Sequence, residues 1–521
     1  MFELIRKNKF FICLSILLVI FTAVSTFIFP LLLQDSTSFT FTQLVILLII
    51  TLTATYFAQF LLILIKERYA ATLNKNHLFT LLLQMKRMPY TALSKKQPTY
   101  LLNRIFGVVD AYYLFICGSF SESIRCVILI LVSLLMCLKI HILLGLPLLM
   151  LIPINLLGYY AINKHLAVRM AKMQQTAAYT NKELLTSITH VETMKQWSQQ
   201  IFKQLFEKEL HAMYQTLAKT NIFAQSSSLG INMLNQVAQT GVYLFVIQRI
   251  LQHTLPSTAI ILVGVLLPIY FSALGGLTKI NLDTTTLKTN QQFVKDEITA
   301  FLPQKDTEKV KEVQGFTLTN PKIAMDSSHT FHFDVHTTIK KGEHIHLCGP
   351  SGRGKSTLLK AICGFYPIDG LEFSCVSENN QPIQCTNLNN DRILYLAQEP
   401  TILSRTIEEN ITWGRKLTSD EKAYLEKTSI LTPLFLHRNW TSCLKENGAD
   451  LSGGEKQRIA VARALISKAD ILLLDEATSS LDDHSIQIIM NALKIHAKER
   501  IIIYTSHKKD DAAFCHRTLT I

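Results

Sequence analysis

Nine consecutive residues, Gly349-Pro350-Ser351-Gly352-Arg353-Gly354-Lys355-Ser356-Thr357, carry the most specific chemistry in the chain. They fit G-x-x-x-x-G-K-[ST], in which glycines let backbone N–H groups turn inward around phosphate oxygens. The alternation of Glu343 to Cys348 predicts a strand before this loop, and Leu358 to Ile362 predicts the opening of a helix after it. Phosphates would then lie at a helix N-terminus, whose dipole favours negative charge. Lys355 would reach the β- and γ-phosphates, and the Ser356 hydroxyl would ligate Mg2+.

A second stretch supplies acids. The apolar run Ile471-Leu472-Leu473-Leu474 ends in Asp475-Glu476 and reads as a strand. Ligands of a parallel sheet gather at the carboxyl ends of its strands. Asp475 would hold Mg2+, directly or through water, and Glu476 would polarise an attacking water as general base. Two acids closing a strand say little alone; paired with a phosphate loop they specify hydrolysis.

Between the two lies Leu451-Ser452-Gly453-Gly454-Glu455-Lys456-Gln457-Arg458, which resembles the L-S-G-G-x signature of ATP-binding cassette (ABC) proteins. Small residues there open a helix over Glu455 to Leu465, a second anion-binding helix start built from Ser452, Gly453 and Gly454. The resemblance makes ATP the nucleotide and Mg2+ its metal. It also implies two such domains arranged head to tail with ATP between them, and further site residues one by one. Gln398, in Leu396-Ala397-Gln398-Glu399-Pro400, matches the loop glutamine that touches Mg2+ or water. Asp482, in Ser480-Leu481-Asp482, matches the loop that crosses the dimer interface. His507, after the apolar strand Ile501 to Thr505, matches the switch histidine that contacts the γ-phosphate. Such proteins carry an aromatic residue that stacks on adenine, and counting back from Gly342 puts that place near Ala324–Met325, where there is none. Met325 or Phe331 is left to pack on the base. The chain also ends at Ile521, soon after His507, so little of the family's tail is expected.

These groups need a scaffold, and the chain divides in two. Of 521 residues, 49% are apolar and the mean hydropathy is +0.24; the apolar residues concentrate before about residue 280. Six runs are long enough to span a bilayer: Phe10–Leu33, Leu44–Ile65, Tyr113–Leu138, Ile140–Ile162, Ile222–Leu251 and Thr258–Ile280. The first is too long for a cleaved signal. The third and fourth nearly touch at Lys139-Ile140-His141, a very short hairpin. The net charge of +13 falls largely in the two long breaks, residues 66–112 and 163–221, as the positive-inside rule requires of cytoplasmic loops. A membrane protein explains that charge, and no nucleic-acid partner is expected. Both long breaks show helical spacing and few glycines, so they extend the membrane helices into the cytoplasm, with Pro89 and Pro98 bracketing a short element at the tip of the first. Ten scattered cysteines contain no C-x-x-C and no metal-like grouping.

The expected fold is a six-span α-helical transmembrane domain over residues 1–300, a linker over 301–314, and an α/β P-loop ABC ATPase domain over 315–521. Six spans fused to one ATPase resemble a half-size exporter of the type IV, or B-family-like, group. Met88-Pro89-Tyr90 through Leu101-Leu102-Asn103-Arg104-Ile105 looks like the first cytoplasmic loop of that group, and Lys182-Glu183-Leu184 through Met194-Lys195 like its second. The resemblance implies a multi-pass protein of a bacterial inner membrane with its ATPase domain in the cytoplasm. It would work as a homodimer or with a similar half-transporter, exporting a peptide, lipid or amphipathic small molecule. The alternative is a membrane ATPase of the same kind acting as sensor or channel. No peptidase domain is expected before Phe10. In the fifth run, Ser228, Asn232, Asn235, Gln236 and Gln239 fall close to one helical face, and either line a cavity or bond neighbouring helices.

Overall fold

The computed structural model describes residues 9–34, 40–189, 191–256, 258–302, 310–325, 329–388, 391–478, 481–497, 499–506 and 515–521. The chain forms two compact units, Met1–Met88 with Leu93–Leu302, and Pro89–Ala92 with Pro303–Ile521.

The first unit is helical. Its described α-helices are α1 (Lys9–Ser25), α2 (Ile28–Gln34), α3 (Phe41–Arg87), α4 (Tyr90–Lys96, whose first three residues group with the second unit), α5 (Pro98–Leu114), α6 (Phe120–Ile140), α7 (Ile142–Thr189), α8 (Val191–Gln196), α9 (Gln199–Leu251) and α10 (Thr258–Phe293). Local chemistry sets their ends. Thr40 starts α3 with a capping box, accepting from the Gln43 backbone N–H while the Gln43 side chain accepts from Thr40 N–H. Met88 is extended, as a residue before proline must be, and this stops α3. Pro98 sits in the first turn of α5, where its missing N–H costs nothing. The element expected between the two prolines is therefore α4. A single π turn at Phe115–Ser119 joins α5 to α6. The hairpin between α6 and α7 consists of His141 alone, and it closes so tightly that a Cβ on Gly145 would collide with the Leu138 side chain.

Five of these helical stretches are long and apolar enough to cross a membrane. The predicted fifth run, Ile222–Leu251, lies inside α9, a continuous helix of 53 residues. Its Ser, Asn and Gln residues keep α9 below that apolar threshold. Both long breaks, residues 66–112 and 163–221, are helical among the described residues, as the spacing predicts.

The second unit is α/β. A parallel sheet runs β10–β4–β9–β8–β7, from β4 (His344–Cys348), β7 (Ile393–Leu396), β8 (Ile471–Asp475), β9 (Ile501–Thr505) and β10 (Arg517–Thr520). An antiparallel sheet joins β1 (Val310–Ala324), β2 (Thr330–His332), β3 (His336–Lys340), β5 (Ile368–Ser377) and β6 (Pro382–Cys385). Strands β8 and β9 are buried at every position, as unbroken apolar runs in a covered parallel sheet should be. Residues 310–314, expected as linker, are the first third of β1: Val310 and Val313 are buried there against β5. Charge disguised this stretch, because Lys311 and Glu312 sit on the strand's outward positions.

Strand β4 holds an acid-sensitive feature. His344 and His346 are buried, and their four ring nitrogens have no hydrogen-bond partner among the described residues. Burial above all, with His516, Lys494 and His346 acting in the same direction, pushes the His344 pKa down from 6.5 to about 4. The unfolded chain therefore binds a proton that the folded chain refuses. Stability is complete above about pH 6.5 and falls as the pH drops toward 4, by a few kcal/mol at the limit. His344→Val should flatten the fall in Tm of the full chain across this window. Parallel losses in wild type and variant would assign acid lability elsewhere.

Candidate functional site

The phosphate loop lies between β4 and α11 (Lys355–Ile362). Gly352 and Gly354 have φ of +81° and +91°, the left-handed region in which glycine is unstrained. A Cβ on Gly352 would meet nothing within 4 Å, so that turn of the loop is open. Gly354 caps α11, and its carbonyl accepts the Leu358 N–H at 2.8 Å. Lys355 is buried, and its Nζ donates to the Gly349 and Pro350 carbonyls at 2.8 and 3.2 Å. The ammonium thus arches back over the concave side of the loop. Pro350, Ser351 and Arg353 are exposed, while Ser356 and Thr357 are half-buried on the first turn of α11.

Strand order brings the other groups to this loop. Strands β4, β7, β8 and β9 are parallel neighbours, so the residues that follow them emerge along one edge. Ser356 Oγ donates to Asp475 Oδ1 at 2.9 Å, joining loop and acid. Thr505 Oγ1 donates to the same oxygen at 3.1 Å and accepts the Glu476 N–H at 2.9 Å. Tyr395 Oη donates to Asp475 Oδ2 at 2.8 Å. Gln398 Nε2 donates to Glu476 Oε2 at 2.7 Å. Glu476 is held at φ +49°, a strained conformation for a residue with a Cβ, which turns its side chain away from the strand course.

The predicted metal set therefore falls into two bonded pairs, Ser356 with Asp475 and Gln398 with Glu476, joined by the adjacency of the two acids at the end of β8. Such a set fits Mg2+, which takes one or two carboxylates and completes its shell with phosphate and water oxygens. No group of three His, Cys, Asp or Glu forms an all-protein metal cage among the described residues.

Tyr395 and Thr505 carry no motif that marks them in the sequence. Each is a hydroxyl at or near the end of an apolar strand bordering β8, and that position was the available signal.

The signature residues belong to a different network. Ser452 caps α12 (Gly453–Ile466): its Oγ accepts the Glu455 N–H at 3.2 Å and donates to the Glu455 carboxylate at 2.9 Å. The helix begins at Gly453, two residues before the predicted Glu455. One turn later, buried Arg458 donates to the Ile430 carbonyl at 2.8 Å and to Ser485 Oγ, which bonds Asp482. Hydrogen bonds from Ser485 hold the Asp482 carboxyl below its usual range. Asp482 and the signature helix are thereby linked. His507 and Ser480 lie outside the described residues.

Near the phosphate loop the place expected for an adenine-stacking aromatic, Ala324–Met325, ends β1. Phe331 on β2 approaches the loop itself: a Cβ on Gly354 would lie 3.0 Å from Phe331 Cδ1 and 3.1 Å from Phe333 Cζ.

In the helical unit, the polar face of α9 divides. Ser228 and Asn232 line a cavity of about 690 Å³, together with Tyr159, Gly275, Lys279 and Asn281. Asn235 faces inward instead. It is buried, and its amide exchanges hydrogen bonds with Asn155 of α7 at 2.9 and 3.0 Å. A second reciprocal amide pair, Asn163 with Asn281 at 2.7 Å in both directions, joins α7 to α10. Asn235 thus bonds a neighbouring helix, and Asn232 meets the cavity. Asn235→Leu should lower stability by about 0.6–1.7 kcal/mol by stranding the Asn155 amide. Asn232→Leu should leave Tm unchanged and alter which compounds stimulate ATP hydrolysis. Equal Tm losses for both would dissolve the distinction.

Residues 333–479 match the pattern of the ABC transporter family. The chain is 31% identical over 315 residues to a probable ABC transporter ATP-binding/permease protein of Haemophilus influenzae, covering 58% of this chain and 54% of that protein, so the match spans about half the relative's length. It is 41% identical over 175 residues to a Rickettsia typhi protein named "Putative export ATP-binding/permease protein", covering 33% of this chain and 30% of the relative. The fold is that of a bacterial Atm1-family ABC exporter solved with ATP bound, with a TM-score of 0.82 at 16% identity over 99% of this chain and 93% of that one.

Proposed function

Since this chain carries an ABC transporter domain behind a helical region with the exporter fold, we propose that it couples ATP hydrolysis to export of a substrate across a membrane. The observation that supports this best is the gathering of Ser356, Asp475, Glu476 and Gln398 at one edge of the parallel sheet, in a chain with five helices among the described residues that are long and apolar enough to cross a bilayer.

Each residue has a role that its surroundings favour. The N–H groups of Gly352 to Thr357 and the Lys355 ammonium cradle the ATP phosphates. Ser356 and Asp475 hold Mg2+, with Gln398 beside them. Bound there, Mg2+ neutralises charge developing on the transferred phosphoryl group. Glu476 accepts the proton of the attacking water, and Gln398 orients its carboxylate. Phe331, beside Gly354 of the loop, takes the adenine-packing role. The Ser452–Gly454 helix start and Asp482 serve a partner's phosphate loop, so the working unit is a dimer with two shared sites. His507, two residues beyond the end of β9 in the sequence, takes the role of sensing the γ-phosphate.

The assembly is a multi-pass protein of an inner membrane, with its ATPase domain in the cytoplasm. The cavity lined by Ser228 and Asn232 is mixed in character, which suits a peptide, lipid or amphipathic small molecule. The deciding measurement is ATP hydrolysis in proteoliposomes alongside movement of candidate compounds from each class. Hydrolysis coinciding with vectorial movement supports the pump; hydrolysis without it for every class would favour a sensor or channel.

A further inference from the structure

Tyr395 is the polar exception in β7, and its hydroxyl has one partner in the site: Asp475 Oδ2, at 2.8 Å. The other oxygen of that carboxylate, Oδ1, takes both Ser356 and Thr505. A carboxylate held only through Oδ1 turns easily about its last side-chain torsion, which has broad wells. Tyr395 closes that freedom from the opposite side with a hydrogen bond strengthened by the acceptor's charge. Three residues later on the same chain segment, Gln398 makes the parallel bond to Glu476.

The ring of Tyr395 is held in turn. It packs edge-on against Phe365, with centroids 5.8 Å apart and planes at 80°. Phe365 stacks on Tyr90 at 5.0 Å and 19°, and Tyr90 meets Tyr366 edge-on at 5.4 Å. Tyr90 opens α4 and, with Pro89 and Ala92, groups with the α/β unit although its sequence neighbours on both sides belong to the helical one. Tyr90, Phe365 and Tyr395 therefore form a continuous aromatic file that ends on Asp475.

We propose that Tyr395 is a positioning residue for the metal site, orienting Asp475 through its hydroxyl, and that Phe365 and Tyr90 hold it in place, so that displacing the Pro89–Ala92 segment loosens the metal-holding carboxylate. This rests on the reading of the cluster as an ATP–Mg2+ site. It adds a residue outside the phosphate loop and the acid pair, and gives the segment between α3 and α5 a physical route to the metal. The route consists of two ring contacts and one hydrogen bond.

The test uses the full-length protein in detergent, with Mn2+ as the probe and adenylyl imidodiphosphate as a nucleotide that is not hydrolysed. Bound Mn2+ is read from the loss of the free-ion electron paramagnetic resonance signal. Tyr395→Phe keeps the ring and its packing but deletes the hydroxyl; it should weaken nucleotide-dependent Mn2+ binding by about tenfold. Binding of the nucleotide in EDTA should stay unchanged, because Asp475 serves the metal. Tyr90→Ala should weaken Mn2+ binding in the same direction by about threefold, and should add nothing once Tyr395→Phe is present, since both act through one carboxylate. Wild-type Mn2+ affinity in Tyr395→Phe would overturn the positioning role. An equal loss of metal-free nucleotide binding would overturn it too, because the damage would not be specific to the metal. Additive effects of the two substitutions would overturn the link to Tyr90. Wild-type protein that binds no Mn2+ with the nucleotide would overturn the ATP–Mg2+ reading itself, a result distinct from the other three.

Discussion

Glu476→Gln is expected to reduce ATP turnover by about 10²–10⁴-fold while changing ATP affinity by less than about threefold. The substitution removes basicity and charge but keeps the shape. The amide oxygen still accepts the Gln398 hydrogen bond, and the Thr505 hydroxyl still takes the backbone N–H at position 476. Ser356 and Asp475 are untouched, so nucleotide and metal should bind as before. The strained φ of +49° belongs to the backbone and is no worse with Gln. Phosphate release and equilibrium ATP binding, measured on the same preparation, separate the two quantities. ATP should also hold the dimer together longer, visible as a persistent dimer peak on size exclusion. A variant with most of its turnover intact would remove Glu476 from the role of base.

Gly354→Ala should abolish ATP binding in the usable concentration range and lower thermal stability as well. Two independent costs coincide there. A φ of +91° is strained for any residue with a Cβ, by about 1–2 kcal/mol. The new methyl group would also press on Phe331 at 3.0 Å and Phe333 at 3.1 Å. Phe333 is buried and has little room to yield. Relief must come from the loop, whose N–H groups then lose their aim. Gly352→Ala provides the comparison: its φ of +81° is similarly strained, but its Cβ would meet nothing within 4 Å. Gly352→Ala should therefore keep more stability than Gly354→Ala. Equal melting temperatures for the two variants would show that the aromatic contacts do not matter.

Much of this arrangement was legible because the chemistry is local. A phosphate loop needs its glycines, lysine and hydroxyl within nine residues. Apolar runs of about 20 residues announce themselves by length alone, and the turn elements around Pro89 and Pro98 follow from what proline forbids. The less legible parts depend on partners distant in sequence. Tyr395 reads as one more bulky strand residue until β7 is laid beside β8 and its hydroxyl meets Asp475. Asn232 and Asn235 are equivalent in a pattern of spacing, yet only Asn235 finds Asn155. Helix phase relative to a neighbour decides this, and no single-sequence periodicity records it. The start of β1 was hidden for another reason: its charges resemble a solvated linker, and the buried Val310 and Val313 stand three apart, across a shift in the register with β5, so they show no strand alternation.

The reciprocal amides between α7 and α9 also have a mechanical meaning. Helix α9 is unbroken from Gln199 to Leu251, and Asn235 sits well off its centre. At 1.5 Å per residue, a stiff rod pinned at Asn235 has a short arm of about 24 Å toward Leu251 and a long arm of about 54 Å toward Gln199. Rocking about that pin moves the two ends in opposite directions, with a gain of roughly two. A shift of about 1 Å at the Leu251 end becomes about 2 Å at the Gln199 end, near the tip formed with α8. Were α9 to rock as a rigid rod, Asn155 and Asn235 would be the fulcrum of an unequal-arm lever, with the Thr180–Glu209 bond resisting travel of the long arm.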